Sequence, residues 1–481
     1  MASATVTRLD DFTQKATLLL GAKGFTCDPD LVEPWLTDWR GRYTGRAIGL
    51  ASPASTQEVA ALVELCADAQ VPIVAQGGNS GMAGGATPDA SGSAIILSLR
   101  RMNRIRTLDP DAGTVVCDAG VILQTLHEAA AEHDLRFPLT LGGKGSATIG
   151  GLISTNAGGT QVLRYGTMRA QVLGLEAVLP NGDVLDRLAV LKKDNRGFDL
   201  KQLLIGSEGT LGIVTAACLR LLPQPKSRVT AWIGLNDILD ARTLLRRCET
   251  ELGETLEGFE VVPAHCLDSV LAHLPDARAP LAQPHAWNAL IECTSPTLEE
   301  DALRDAVLAV LAPSMEDGLV EDAALAASEA QAAQFWHLRD SISAAERALG
   351  PAMQHDISVP VERMPEFIRD AAPVIEEEFP GTLCAAFGHL GDGNVHFHVL
   401  APAGAVAGEW EESEGKQVSA RVYDLVTRAG GSISAEHGIG QMKVAELQRL
   451  TDPAALSIMR AVKSALDPQG LLNPGKLLSQ N

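Results

Sequence analysis

Long hydrophobic runs are missing from this chain of 481 residues. No apolar stretch reaches the roughly 18 residues that a membrane-spanning helix needs. The opening stretch, MASATVTRLDDFTQKA, has no basic region followed by an apolar core, so no secretory leader is expected and the protein is placed in the cytoplasm. Cysteine pairing is missing too. Eight cysteines are scattered from Cys27 to Cys384, none at the spacing of a metal or redox pair, which excludes a disulfide framework and fits buried thiols in a reducing compartment. Positive charge is in short supply: 39 Lys and Arg against 60 Asp and Glu give a formal charge of -21. Such a surface repels phosphate backbones and anionic membranes, so nucleic acid is not an expected partner. The acidic clusters at 376–378 and 409–414 read as solvated helix faces. Internal repeats and low-complexity segments are absent, and no GxGxxG opens a helix within a strand–helix–strand unit, which disfavours a nicotinamide site of Rossmann type.

What is present is a hydrophobic content of 46%, enough for two or three domains with cores of their own. Ser55 and Glu58 have capping-box spacing ahead of Val59, Leu62, Val63 and Cys66, which share one helix face. VPIVA at 71–75 reads as a buried strand and runs into the glycine-rich stretch QGGNSGMAGG at 76–85. Strands over 94–99 and 114–117 and a helix over 121–133 lead to a second such stretch, GGKGSATIGGLISTNAGG at 142–159. Asn181-Gly182 marks a hairpin, because both residues tolerate positive φ. A third segment, IGSEGTLGIVT at 205–215, precedes Pro223 and Pro225, where the pattern breaks. The expected organisation is therefore a first domain over 1–225, a second α+β domain over 226–425 with alternating strands and helices, and a C-terminal segment over 426–481.

A pyrophosphate bound without many cations needs converging backbone N–H groups, and glycine permits both the turn and the close approach of backbone to phosphate. Three such segments in one domain make a large cradle. The histidines carry a second signal. Four of the eleven, His389, His396, His398 and His437, fall close together in the chain. With Asp392-Gly393 as the centre of a two-residue turn in FGHLGDGNVHFHV, His389 pairs directly with His396, Cβ atoms roughly 4.5–5.5 Å apart, near enough to chelate one divalent ion. Period-two alternation puts Asn394, His396 and His398 on one face. Glu436, in GGSISAEHGIGQMK, is the candidate third ligand, with His437 pointing the other way in extended backbone.

These motifs are specific, and together they span most of the chain. VPIVAQGGNSGMAGG, PLTLGGKGSATIGGLISTNAGG and LLIGSEGTLGIVT resemble the flavin-contacting segments of FAD-linked oxidases, within the vanillyl-alcohol-oxidase superfamily. The resemblance implies an α+β fold, with a two-part FAD-binding domain and an α+β substrate domain built on an antiparallel sheet. It implies FAD held by Gly77, Gly78, Asn79, Ser80 and Gly81, by Gly145, Ile149, Gly150, Asn156, Gly158 and Gly159, and by Gly206, Glu208, Gly212 and Ile213, with Asn473 and Lys476 of LLNPGK returning to the flavin. Asn79 stands where relatives with covalently attached flavin carry histidine, so non-covalent FAD is expected; Gln76 stands where many have arginine.

GHLGDGNVHFH and AEHGIG are similar to motifs of the FAD- and metal-dependent D-2-hydroxyglutarate and D-lactate dehydrogenases. That likeness implies His389, His396 and Glu436 as metal ligands, His437 as catalytic base, and Arg339 and Ser343 of LRDSIS as holders of the substrate carboxylate. The expected metal is zinc, with manganese as the alternative. The expected reaction is oxidation of a small D-2-hydroxy acid to the 2-oxo acid, D-2-hydroxyglutarate first and D-lactate or glycolate as alternatives. A non-catalytic flavoprotein subunit is the reading from another class. Gln354 stands where relatives usually have lysine and His398 where some have asparagine, and both bear on the substrate. An electron-transfer flavoprotein or a quinone is the implied electron acceptor, and a homodimer the implied assembly.

Overall fold

The computed structural model describes residues 2–479 apart from Lys192, with the side chains of residues 2–7 left aside. The chain divides into two compact units. The first comprises 1–159, 166–223 and 436–481; the second comprises 160–165 and 224–435. Boundaries had been expected at 225 and 425. The later return at Glu436 and the excursion at Thr160–Tyr165 have local causes. Ser432 and Ser358 exchange backbone hydrogen bonds, and the Ala435 amide lies 3.4 Å from the Asp356 carbonyl, so the chain stays with the second unit's sheet as far as Ala435. The Gln161 amide and the Arg164 guanidinium both donate to Glu257, a buried carboxylate of the second unit, at 2.7 and 3.3 Å.

In the first unit the glycine segments hang from two sheets. The smaller has the order Phe25–Thr26, Leu50–Ala51, Ile95–Leu97, Ile73–Ala75, its last two pairings parallel. Behind it packs the helix Thr56–Ala69. Ser55 Oγ accepts from the Glu58 amide, the Glu58 carboxylate accepts from the Ala54 amide, and Val59, Leu62, Val63 and Cys66 are buried as their spacing requires. Each of these larger apolar side chains contributes about 1.5–3 kcal/mol on burial. The C-terminal LLNPGK segment runs parallel to Ile73–Ala75: the Ile73 amide donates to the Leu471 carbonyl, and the Asn473 amide to that of Ile73. The second sheet is antiparallel, in the order Ile105–Asp109, Thr114–Asp118, Ile213–Arg220, Val172–Val178, Val184–Arg187.

Buried charge in this second sheet is paired. Arg106 reaches Asp118 at 2.6 Å and Glu176 at 3.0 Å, and Glu176 also accepts from the hydroxyls of Thr56 and Thr215. Burial alone raises the Glu176 pKa, but Arg106 and the two hydroxyls outweigh it, and the carboxyl is held below its ordinary value. A depressed carboxyl stabilises the fold above the ordinary pKa near 4.5, and that stability is lost as pH falls through the depressed folded value. Arg106→Met leaves Glu176 with only its two hydroxyl partners and Asp118 with only the exposed Arg104, and is expected to cost about 3 kcal/mol at pH 7. The loss should shrink as pH drops below about 4.5. Urea midpoints measured at both pH values check this, and an equal loss at both would contradict the assignment.

The second unit is built on a seven-stranded antiparallel sheet, ordered Asp322–Leu325, Ser227–Leu235, Trp287–Ser295, Leu256–Pro263, Leu383–His389, Asn394–Leu400, Ala352–Ser358. Against one region of it pack the helices Ala264–His273, Glu329–Asp340 and Ile342–Leu349, around Trp232, Phe335 and Phe387. No helix among the described residues is long and apolar enough to cross a membrane. The eight cysteines are free, seven of them buried.

Candidate active site

The three glycine segments of the first unit converge on one cavity. Its wall includes Gly77, Gly78, Asn79, Ser80 and Gly81 of the first, Gly150 of the second, and Glu208, Gly212 and Ile213 of the third, together with His437 and Gly440. The glycines are required by contact. A Cβ on Gly78 would lie 1.8 Å from the Ser146 carbonyl oxygen, and one on Gly77 would lie 2.4 Å from Thr148 Oγ1. Backbone strain also collects here. Of the seven non-glycine residues with positive φ among the described residues, Asn79, Asn156, Glu208 and Asn473 belong to the expected site. Gly78→Ala has no room without moving the second segment, so it is expected to yield folded protein that retains less than a tenth of the normal flavin. The absorbance ratio of flavin to protein reads this directly, and full flavin content would remove the cradle assignment.

Other expected residues stand one layer back. Asn156 ends the helix Ile149–Thr155, and its Oδ1 accepts from the Thr167 hydroxyl and the Arg169 amide. Asn473 donates its side-chain amide to the carbonyls of Gly85 and Glu208, bracing the first segment against the third. Ile149 is core; Gly158 and Gly159 are buried; Gly206 turns at φ +78; Lys476 is buried. Gly145 lines a neighbouring cavity shared with Gly77, Gly78 and Asn79. Gln76 spans the carbonyls of Trp35 and Ala86, which makes it a strut of the first loop. Glu208 accepts the amides of Ile439 and Gly440, both at 2.7 Å, and so pins the AEHGIG loop that carries His437. Burial raises the Glu208 pKa, opposed by those two amides. Thr148, Gly151, Ser154 and Thr155 also line the cavity and were not singled out by sequence, although their segment was.

In the second unit the histidine hairpin forms in a different register. His389 pairs with Asn394, Gly388 with Val395 and Phe387 with His396. The two-residue turn is thus corrected to a four-residue loop, 390–393, in which the amides of Asp392 and Gly393 donate to the His389 carbonyl and Gly393 takes φ +80. A shift of two residues keeps every side chain on its face. His389 and His396 become diagonal neighbours, with ring centroids 5.2 Å apart. The same face carries Glu260, the direct partner of His389 on the adjacent strand. Glu260 Oε1 lies 2.5 Å from His389 Nδ1, and Oε2 accepts from Arg339 Nε at 2.7 Å. Burial works to raise the Glu260 pKa, yet Arg339 and His389 hold it down at about 2. Burial first, then the charges of Arg339 and His389, push the His396 pKa far down, leaving a neutral imidazole with a lone pair to offer.

Arg339 sits at the end of the helix Glu329–Asp340, with its guanidinium beside His389 and over the Phe387 ring. Ser343 lies on the next helix, Ile342–Leu349, half-buried. Glu436 follows Ala435 directly, and Ala435 touches the backbone of Asp356, the cross-strand partner of His396. His389 and His396 thus stand together on the second unit's sheet, and Glu436 is the residue that follows that unit's last one, Ala435. Two imidazoles and a carboxylate suit zinc, and three protein ligands leave positions open for substrate. Glu260 is the residue that sequence reasoning missed. Its signal was present: a charged side chain inside LEGFEVVP, a strand in which every residue is buried.

Residues 47–187 match the family described as FAD binding domain, and residues 224–477 match FAD linked oxidases, C-terminal domain. The chain is 38% identical over 462 residues to D-2-hydroxyglutarate dehydrogenase, mitochondrial, of Arabidopsis thaliana, covering 96% of this chain and 80% of that protein. It is 36% identical over 452 residues to D-2-hydroxyglutarate dehydrogenase of Xanthomonas citri pv. viticola, covering 94% and 93%. Among solved structures, p-cresol methylhydroxylase with substrate bound aligns with TM-score 0.74 at 17% identity, covering 98% of this chain and 97% of that one. At that identity the likeness speaks for the fold.

Proposed function

This chain belongs to the FAD-linked oxidases, and from that membership and the polar face around His389 we propose that it oxidises D-2-hydroxyglutarate to the 2-oxo acid. The observation that carries the proposal is the conjunction, in a chain with three flavin-type glycine segments, of paired imidazoles with an adjacent guanidinium. FAD fits the first unit's cavity because its wall brings together backbone from all three glycine segments, and it would be bound without a covalent link. When bound, FAD would supply the two-electron acceptor that the oxidation at C2 needs. The divalent ion, zinc by its donor set, would be held by His389, His396 and Glu436 and would supply Lewis acidity toward the substrate's 2-hydroxyl.

The chain's own residues do the rest. Arg339, kept in place by Glu260, offers a planar fork that suits the C1 carboxylate, and Ser343 adds a hydroxyl. His437, on a loop clamped by Glu208, takes the hydroxyl proton as general base. The electrons must leave for an acceptor, for which an electron-transfer flavoprotein or a quinone is the proposed class. The test is anaerobic bleaching of the flavin band with D-2-hydroxyglutarate, D-malate, D-lactate, glycolate and the L-acids. Bleaching fastest with D-2-hydroxyglutarate is expected. A faster response to D-lactate or glycolate would move the assignment to those acids, and none from any D-acid would remove the chemistry.

A further inference from the structure

A small hairpin over 36–45 in the first unit has no part in the roles assigned above. Thr37 pairs with Thr44 across it, the Asp38 amide donates to the Tyr43 carbonyl at 3.0 Å, and the Gly45 amide donates to the Leu36 carbonyl at 2.9 Å. The Asp38 carboxylate is buried inside the turn, where it accepts from the amides of Tyr43 and Arg40. The tip is therefore held in one shape from within. Outward it presents Trp39, 55% exposed, with the Arg40 guanidinium 4.7 Å from its ring centre; Arg42 and Arg46 are exposed as well. From Trp39 to Gln57 the sequence holds no Asp or Glu, in a chain where acidic residues outnumber basic ones by 60 to 39. With Asp38 turned inward, the hairpin is a basic island on an acidic protein. At 0.1 M salt, charges more than about 10 Å away are largely screened, so a molecule touching the tip meets the arginines and not the net charge.

The base of the hairpin grips the first glycine segment. Asn79 donates its side-chain amide to the Thr37 carbonyl at 2.9 Å, and Gln76 donates to that of Trp35 at 3.0 Å. Tyr43 packs on Gly84 so closely that a Cβ there would lie 2.7 Å from its ring and 2.9 Å from Nε2 of Gln441, on the loop that carries His437. Ala83 and Gly85, the neighbours of Gly84, line the same cavity as His437. The hairpin is thus one layer of residues from that cavity.

We propose that the hairpin, with Trp39 as anchor and Arg40, Arg42 and Arg46 as its charges, is the docking surface for the electron acceptor, a soluble redox protein with an acidic contact face. Tryptophan and arginine dominate protein contacts because they bury a large area, and a pre-shaped tip loses less freedom on binding than a mobile one. Opposite charge on the partner speeds encounter and fixes orientation. A neutral quinone offers the arginines nothing to meet. Per substrate, two electrons and two protons leave C2 and its hydroxyl. One two-electron carrier, or two one-electron carriers in turn, take the electrons at this face, and the protons pass to water or to the carrier. The inference rests on the proposed flavin-dependent oxidation.

The experiment isolates reoxidation of the holoenzyme. Its flavin is reduced anaerobically with dithionite, then mixed with a recombinant electron-transfer flavoprotein or with ferricenium, a small acceptor that needs no docking. Trp39→Ala, and Arg42→Glu combined with Arg46→Glu, should each slow reoxidation by the protein acceptor at least tenfold at low salt. Reoxidation by ferricenium, bleaching by D-2-hydroxyglutarate and flavin content should stay within twofold. Arg42→Lys keeps the charge and should stay within threefold. Added salt should slow the parent protein and leave the glutamate pair unaffected. Unchanged rates in the alanine and glutamate variants, or a parent rate that does not fall with salt, overturn the docking surface. So does a parallel fall with ferricenium, which would mark a structural role. Reoxidation by a short-chain quinone and not by the protein acceptor overturns the class of partner. Because dithionite stands in for substrate, a flavin that no D-2-hydroxy acid bleaches overturns the proposed function and leaves the docking test to be read by itself.

Discussion

His437→Ala is expected to slow flavin reduction by substrate by about 10²- to 10⁴-fold, the range general-base catalysis supplies. An unperturbed imidazole titrates near 6.5, so at neutral pH it can accept a proton, and few other side chains can. His437 lines the same cavity as the glycine segments, on a loop whose Ile439 and Gly440 amides donate to Glu208. The loop is held by main-chain bonds, so removing the imidazole should leave it in place. Flavin content is therefore expected to stay within about twofold, which separates loss of a base from loss of a cofactor. Stopped-flow bleaching gives the rate and the absorbance ratio gives the content. A parallel fall in the two would mean that His437 supports the flavin cavity and has no part in proton transfer.

Metal removal should have the second large effect. The hydroxyl of a 2-hydroxy acid is a very weak acid, and a divalent cation lowers the pKa of oxygen bound to it by several units. Treatment with a chelator is expected to reduce bleaching by D-2-hydroxyglutarate at least a hundredfold, and zinc or manganese to restore it. His396→Ala should behave as the chelated protein does and resist rescue. The second unit should stay folded in both cases, since the Arg339–Glu260–His389 cluster and its sheet do not depend on His396 as a partner. Bleaching that survives chelation, with metal content shown to be nil, would assign the two imidazoles to substrate binding alone.

How much of this was legible beforehand follows from the range over which each feature is decided. The helix Thr56–Ala69 starts after the Ser55 cap and buries the face that its apolar period marks, because capping and periodicity act within a few residues. The glycine segments were legible for a like reason: a glycine where a Cβ has no room is a statement about local backbone. The hairpin was half legible. Alternation correctly put His389 and His396 on one face, but the loop length was decided by the turn that formed, and with it the pairing of His389 with Asn394. Glu260 was not legible as a site residue, because its meaning depends on His389, 129 positions away in the chain.

By itself, then, the sequence determined the residue types, the strand faces they occupy and the family to which the motifs point. These are set by covalent order and by periods of two and 3.6 residues. Only the tertiary structure decided which buried polar groups meet: Arg339 with Glu260, His398 with Glu346, Glu208 with the amides of the His437 loop. Burial makes such pairing obligatory, since an unpaired charge cannot stay away from water, but it does not say which distant strand or helix will supply the partner. That choice belongs to the packing of the sheet.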